Sequence, residues 1–118
     1  MAFRFESLAI WKLAIEYGDE CYKVAGELPA EERYALADQL RRAAVSISNN
    51  IAEGSGSATN KNFSSFLDIA VKSTLETVNI LFFGLRRSYF TKQEFDRLYE
   101  KAENLIKKIR AFKNTLPK

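Results

Sequence analysis

Apolar residues recur every three or four positions along almost the whole chain, which is the period of an α-helix. Short breaks at Leu28-Pro29, at 54–59 and at 88–90 divide the pattern into four segments. It predicts helices over residues 6–27, from Pro29 to 53, over 60–87 and from 92 to 116. Because long helices with short connections pack as antiparallel neighbours, we expect one all-α domain over residues 1–118, an antiparallel up-and-down four-helix bundle.

The first predicted helix is apolar over more of its surface than one core requires. Two adjacent stripes together span roughly 200°, whereas a stripe a little over ~100° wide covers a single core. The excess predicts burial against a second subunit, and therefore a homo-oligomer. Aromatic residues concentrate at such contacts, although packing within one chain stays open as the alternative. The candidate interface residues are Trp11, Tyr17 and Tyr22.

The ends of two helices carry local signals. Thr91 to Glu94 has the form of a capping box, in which the Thr91 side chain accepts from the Glu94 N–H and Glu94 reaches back to the cap. Gly54 follows the predicted end of the second helix and is expected to be its C-cap.

Histidine, the residue that catalytic and metal sites use most often, is missing from the sequence. Its absence removes the commonest general base and metal ligand and the Glu-x-x-His pairs of di-iron bundles. The Gly54 to Ser57 segment lacks the Lys-Ser/Thr of a phosphate loop. We therefore expect no catalytic residue, metal or cofactor, and a protein that is not an enzyme.

The single cysteine and the absence of long apolar runs bear on location. Cys21 lies on the apolar side of the first helix, where a buried, inert thiol is expected. No run of about 18 apolar residues and no signal peptide are evident, so we expect a cytoplasmic protein without membrane contact.

Three polar residues fall on or beside the inward stripes of the second and third helices. We expect them to form a buried, hydrogen-bonded structural set, because buried polar groups are usually satisfied in this way. A functional polar site inside the bundle is the alternative. The three residues are Asn50, Glu53 and Glu76.

Charge is distributed unevenly along the chain. Residues 1–32 hold three Lys/Arg and seven Asp/Glu, residues 33–90 seven and four, and residues 91–118 eight and four, which gives −4, +3 and +4. Basic clusters of this kind attract phosphates when an oligomer repeats them, although cations at the end of a helix also suit its dipole. Arg41 and Arg42 have a second interpretation, an ion pair with Glu53 or Glu76 inside the assembly. The nucleic-acid candidates are Arg41, Arg42, Arg86, Arg87, Lys107, Lys108, Arg110 and Lys113.

The segment from Glu31 to Ile47, running into Asn50-Ile51-Ala52-Glu53-Gly54, resembles the bacterial four-helix-bundle proteins encoded in intervening sequences of 23S rRNA genes, once labelled S23 ribosomal proteins. The segments 5–8, 63–67, 69–70 and 75–77, with Trp11, match the same family, whereas Ser48 and the segment 71–74 depart from its pattern. The resemblance implies an antiparallel four-helix bundle and a pentameric barrel. It extends to the accessory protein of diversity-generating retroelements, which is implicated in binding nucleic acid and a reverse transcriptase.

Two functions are compatible with these features. The first is a non-enzymatic homo-oligomer, pentameric as the resemblance implies, that binds RNA through repeated basic patches and reads phosphates rather than base edges. The second is a ring-shaped scaffold or accessory subunit whose partner is another protein.

Overall fold

The computed structural model describes residues 2–118, and every element of secondary structure within that range is a helix. The four long helices are α1 (Ala9–Glu27), α2 (Leu36–Ser55), α3 (Asn60–Arg86) and α4 (Lys92–Thr115). Each packs against the next, and α4 packs against α1, so the helices stand in chain order around a square. The Cα trace measures 44 × 23 × 23 Å. The prediction of an all-α, antiparallel up-and-down four-helix bundle is confirmed.

The two ends of the bundle differ in what they contain. The first, called here the terminal end, holds residues 2–8, the connection from α2 to α3 and the last turn of α4. The opposite end, called here the connector end, holds the connections 28–35 and 87–91. Because the helices alternate in direction, the position of a residue along its helix fixes the end to which it belongs.

Two helices begin later than their apolar patterns predict. Residues Arg4–Ser7 form a 3-10 turn, and extended backbone at Leu8 separates this turn from α1. The turn after Pro29 is also a 3-10 helix, Ala30–Glu32, and it does not continue into α2. The backbone of Ala35, with φ −121° and ψ −104°, leaves the helical region, so α2 begins at Leu36.

Gly54 is not the C-cap of α2, which continues to Ser55 with Gly56 as its cap. The glycine is buried, and a Cβ atom there would lie 2.7 Å from Cβ of Phe66 and 2.9 Å from Cδ1 of Phe63. Its missing side chain therefore allows α2 and α3 to approach each other at the terminal end.

Half of the predicted capping box at α4 is present. The Thr91 hydroxyl oxygen accepts a hydrogen bond from the Glu94 N–H at 3.1 Å, as expected. Among the hydrogen bonds of residues 2–118, the Thr91 N–H makes none to the Glu94 carboxylate, so the capping box satisfies one backbone N–H rather than two.

The core is built from the inward stripes of all four helices, with large aliphatic and aromatic side chains fully buried. Cys21 lies in this core as predicted, and burial raises the pKa of its thiol to about 12. Two buried threonines, Thr74 and Thr77, satisfy their hydroxyls within α3 by donating to the carbonyl oxygens of Ala70 and Thr74.

Candidate nucleic-acid interface

The last turns of α4 carry the densest group of cations. Lys107, Lys108 and Arg110 are exposed, and in the described part of the chain none of the three makes an ion pair. Lys113 differs, because its Nζ lies 2.7 Å from Oδ1 of Asp68 on α3. Three of the four candidates on α4 therefore keep their charge available, and the fourth links α4 to α3.

Lys107 and Arg110 border a groove of about 260 Å³ between α3 and α4. Its other lining residues are mainly apolar, namely Leu75, Val78, Tyr99 and Ile106, together with Glu103. A groove with apolar lining and two cations at its border could contact a protein surface as well as a phosphate. Lys108 is not among the residues that line it.

The two arginines of α2 are engaged locally. Arg42 Nε donates to Oδ2 of Asp38 at 2.9 Å, and the Arg41 guanidinium lies 5.9 Å from the centre of the Tyr22 ring. Within residues 2–118 of one chain neither forms the ion pair with Glu53 or Glu76 that the sequence suggested for the assembly, so that pairing stays a prediction about the oligomer. The Arg42 pair is largely exposed, and exposed pairs contribute little energy.

Arg86 and Arg87 lie at the C-terminal end of α3 and are both exposed. The Arg87 Nε lies 3.5 Å from the hydroxyl of Tyr89, and that hydroxyl donates to Oε2 of Glu32 at 2.7 Å. This chain of contacts joins the two connections at the connector end of the bundle.

The candidate cations thus fall into two groups along the bundle axis. The α2 and α3 arginines lie toward the connector end, whereas the α4 cations lie toward the terminal end. A single chain does not bring all eight residues into one patch. The sequence showed their clustering along the chain, but antiparallel packing separates the clusters.

The predicted buried polar set is wrong for two of its three members. Glu53 and Glu76 are exposed. Ile51 and Thr74 point inward, and a residue two positions further along a helix is rotated by about 200°, which turns each glutamate outward. Asn50 is half-buried, and its amide donates to the carbonyl oxygen of Ser46 at 2.7 Å, so its hydrogen bonds stay within α2 and involve neither glutamate.

The three candidate interface aromatics occupy different environments. Tyr17 is only 2% exposed within its own chain, so it is a core residue and its assignment to a subunit contact is wrong. Trp11 is half-buried, with its ring 5.0 Å from the ring of Phe5. Tyr22 is 46% exposed, and it remains available to a second subunit.

Two opposite sides of the square carry large exposed apolar residues. Ile15, Tyr22 and Val45 lie on the α1–α2 side, and Leu75, Phe82 and Tyr99 lie on the α3–α4 side. Sequence reasoning missed the second side. The available signal was that Leu75 and Phe82 lie off the main apolar stripe of α3, where polar residues are the rule.

An ion-pair cluster joins α1 to α4 outside these surfaces. Glu20 accepts hydrogen bonds from Arg97 and Lys101, and it is itself mostly buried beneath them. Burial alone raises the pKa of this carboxyl, but the bonds from Lys101 and Arg97 outweigh burial, so the pKa lies below its usual value.

Residues 2–118 contain no cluster of three or more side chains able to hold a metal ion. Over the same residues, every helix is too short or too polar to span a bilayer.

The chain is similar to a known protein family in sequence and to a solved structure in fold. A model of the family described as 23S rRNA-intervening sequence protein matches residues 6–111. A search of curated sequences returns no match. The fold is similar to a 1.70 Å crystal structure of a protein with unknown function from the S23 ribosomal protein family of Bacteroides thetaiotaomicron VPI-5482, with a TM-score of 0.83 and 21% identity over 90% of this chain and 96% of that one. Because the family model spans most of its length, the chain belongs to the 23S rRNA-intervening sequence protein family.

Proposed function

We propose that this protein is a non-enzymatic, self-associating helical bundle that binds RNA through basic patches repeated around the assembly. The observation that carries the proposal is the group formed by Lys107, Lys108 and Arg110, which is exposed and makes no ion pair within residues 2–118. Cations without protein partners retain their full attraction for phosphate, and binding that releases counterions supplies most sequence-independent affinity.

Self-association is supported by the two exposed apolar sides of the bundle. On the α1–α2 side, Ile15 and Val45 are 45% and 41% exposed, and on the α3–α4 side Leu75 and Phe82 are 50% and 49% exposed. Different surfaces on opposite sides favour a head-to-tail contact, which makes a ring when its rotation closes. Five subunits is the number that the sequence resemblance implied.

A ring would raise the local charge around each patch. One chain has a net charge of only +3, but its C-terminal segment 91–118 holds eight cations and four acids. Repeating that segment around an axis places several patches within reach of one RNA strand. The combined field then exceeds that of any single patch.

Charge reversal tests the assignment of the α4 cations. We expect a chain with Lys107→Glu, Lys108→Glu and Arg110→Glu to lose RNA binding in a filter or anisotropy assay. The matched control reverses Lys23, Arg33 and Lys92, which changes net charge equally but lies toward the connector end. If the first variant binds RNA like the unmodified chain, or if both variants lose binding equally, the assignment is wrong.

A second function, a scaffold for another protein, is supported by the apolar floor of the α3–α4 groove. Such a partner would contact Leu75 as well as Lys107 and Arg110. A protein captured by the unmodified chain after nuclease treatment, and lost with Leu75→Asp, would favour this function over RNA binding. Capture that disappears on nuclease treatment would favour RNA.

A further inference from the structure

Phe3 presents an exposed aromatic ring at the terminal end of the bundle. Its side chain is 64% exposed, and its ring stacks on that of Phe5 with a centroid distance of 5.9 Å and an interplanar angle of 10°. Phe5 in turn packs at 5.0 Å against Trp11. Phe3 is therefore the last ring of a short aromatic series, and most of its side chain is exposed.

The backbone around Phe3 is held in place by local hydrogen bonds. The Phe3 N–H donates to Oε2 of Glu6 at 3.0 Å, and the Ser7 hydroxyl donates to the Arg4 carbonyl oxygen at 3.0 Å. These bonds hold the backbone from which the exposed Phe3 side chain projects. Because the Phe3 ring remains exposed, it contributes little hydrophobic free energy to the stability of this chain.

Cations lie at the same end of the bundle, together with the carboxylates of Glu6 and Glu53 and that of Asp68, which is paired with Lys113. The exposed Arg4 guanidinium lies 5.1 Å from the centre of the Phe63 ring, and Phe63 packs at 5.5 Å against Phe112 near the end of α4. The segment 107–118 that contains Phe112 holds five cations and no acid. The exposed Phe3 ring and the most basic segment of the chain therefore both lie at the terminal end of the bundle.

We infer that Phe3 is a stacking surface for an unpaired base of single-stranded nucleic acid, with Arg4 and the basic end of α4 contacting the flanking phosphates. Every base offers a flat aromatic face, so stacking needs no particular sequence, whereas a duplex hides those faces. The inference rests on the proposed RNA binding and narrows it to single strands.

Exposure alone does not select Phe3. Tyr34 is 87% exposed and has the Arg33 guanidinium 5.9 Å from its ring centre, so it resembles Phe3 at first sight. It lies at the connector end on a segment, 27–34, with three glutamates and one arginine. Arg86 and Arg87 also lie at that end, but the segment that carries Tyr34 is itself acidic, so Tyr34 is the matched control for an exposed ring beside an arginine.

The test compares single-stranded and duplex RNA of about 12 nucleotides, within the range of known single-strand site sizes. Oligouridylate is titrated into the full chain while anisotropy of the labelled RNA and fluorescence of Trp11, the only tryptophan, are followed. We expect tighter binding of the single strand and a change in Trp11 emission. Phe3→Leu should weaken single-strand binding about 5- to 100-fold, the range expected for one stacked base, whereas Phe3→Trp and Tyr34→Leu should retain it.

The outcomes separate this inference from the proposed function. Unchanged single-strand affinity in Phe3→Leu would overturn the stacking role but leave RNA binding intact, whereas no binding of either RNA would overturn both. A lower molar mass of Phe3→Leu in sedimentation, with unchanged RNA affinity, would identify Phe3 as a subunit contact and also overturn the inference. Thermal unfolding of the variant, expected to match that of the unmodified chain, checks the fold.

Discussion

The hydroxyl of Tyr17 on α1 lies 2.8 Å from Oγ1 of Thr77 on α3, across the centre of the bundle. Thr77 gives its own proton to the carbonyl oxygen of Thr74, so Tyr17 is the donor in this bond. Burial raises the pKa of the Tyr17 hydroxyl far above its usual range and keeps the group protonated. The bond connects two helices that stand at opposite corners of the square.

Removing this hydroxyl is expected to weaken the fold measurably. Tyr17→Phe should lower the free energy of unfolding by about 1 kcal/mol, because one buried hydrogen bond is lost and the Thr77 oxygen keeps no other donor. Urea unfolding followed by circular dichroism measures the change. Tyr99→Phe, in which the tyrosine is 40% exposed, serves as the control and should change stability by less than about 0.5 kcal/mol. Equal effects in the two variants would contradict the role assigned to Tyr17.

Gly54 is expected to tolerate no side chain. Alanine normally favours a helix over glycine by about 1 kcal/mol, but a Cβ at this position meets Phe66 at 2.7 Å. The resulting overpacking costs about 1 to 3 kcal/mol, so Gly54→Ala should be net destabilising. Gly26→Ala is the matched control, since nothing lies within 4 Å of its added Cβ, and it should be neutral or stabilising. Thermal unfolding that ranks the two variants the other way would contradict the close approach of α2 and α3.

Some of these features could be predicted from the sequence, and others could not. The number of helices and the inward stripes follow from apolar period, and the start of α4 follows from the Thr91 cap. The role of Gly54 does not, because it depends on Phe63 and Phe66 reaching α2 from another helix. The outward direction of Glu53 was available from helical rotation, and the separation of the α2 and α4 cations was available from the antiparallel arrangement that the sequence predicts.

The ion pairs of Glu20 should make the free energy of unfolding depend on pH in the acidic range. Because the pKa of Glu20 is lower in the folded chain than its usual value of 4.5, its contribution is fully present above pH 4.5 and is lost as pH falls through the folded pKa. Glu20→Gln should cost at most about 1 kcal/mol near pH 7, since Arg97 and Lys101 are half exposed. The difference between the variant and the unmodified chain should shrink at pH 3.

Urea unfolding at the two pH values measures this effect. Glu100→Gln, on the exposed side of α4, is the control and should show a smaller difference at pH 7. A cost of Glu20→Gln that stays the same from pH 7 to pH 3 would show that charge has no part in the contact.

The exposed apolar sides should determine how many chains associate in solution, and therefore the molar mass of the assembly. Sedimentation equilibrium of the unmodified chain is expected to give a multiple of the 13.5 kDa chain mass. Val45→Asp or Leu75→Asp should shift it toward the monomer, because a charge placed in a dry contact must be desolvated. Tyr34→Asp, on neither apolar side, should leave it unchanged. A monomeric unmodified chain would refute self-association.

The salt dependence of RNA binding tests the central claim most directly. For single strands, the logarithm of the binding constant falls with the logarithm of salt concentration with a slope of about −0.7 per phosphate contact. One patch of Lys107, Lys108 and Arg110 would give about −2, whereas several patches around an assembly should give a slope steeper than about −4. A measured slope steeper than −4 is the result we predict. A slope of −2 or shallower, or no binding at low salt, would contradict repeated basic patches as the means of binding RNA.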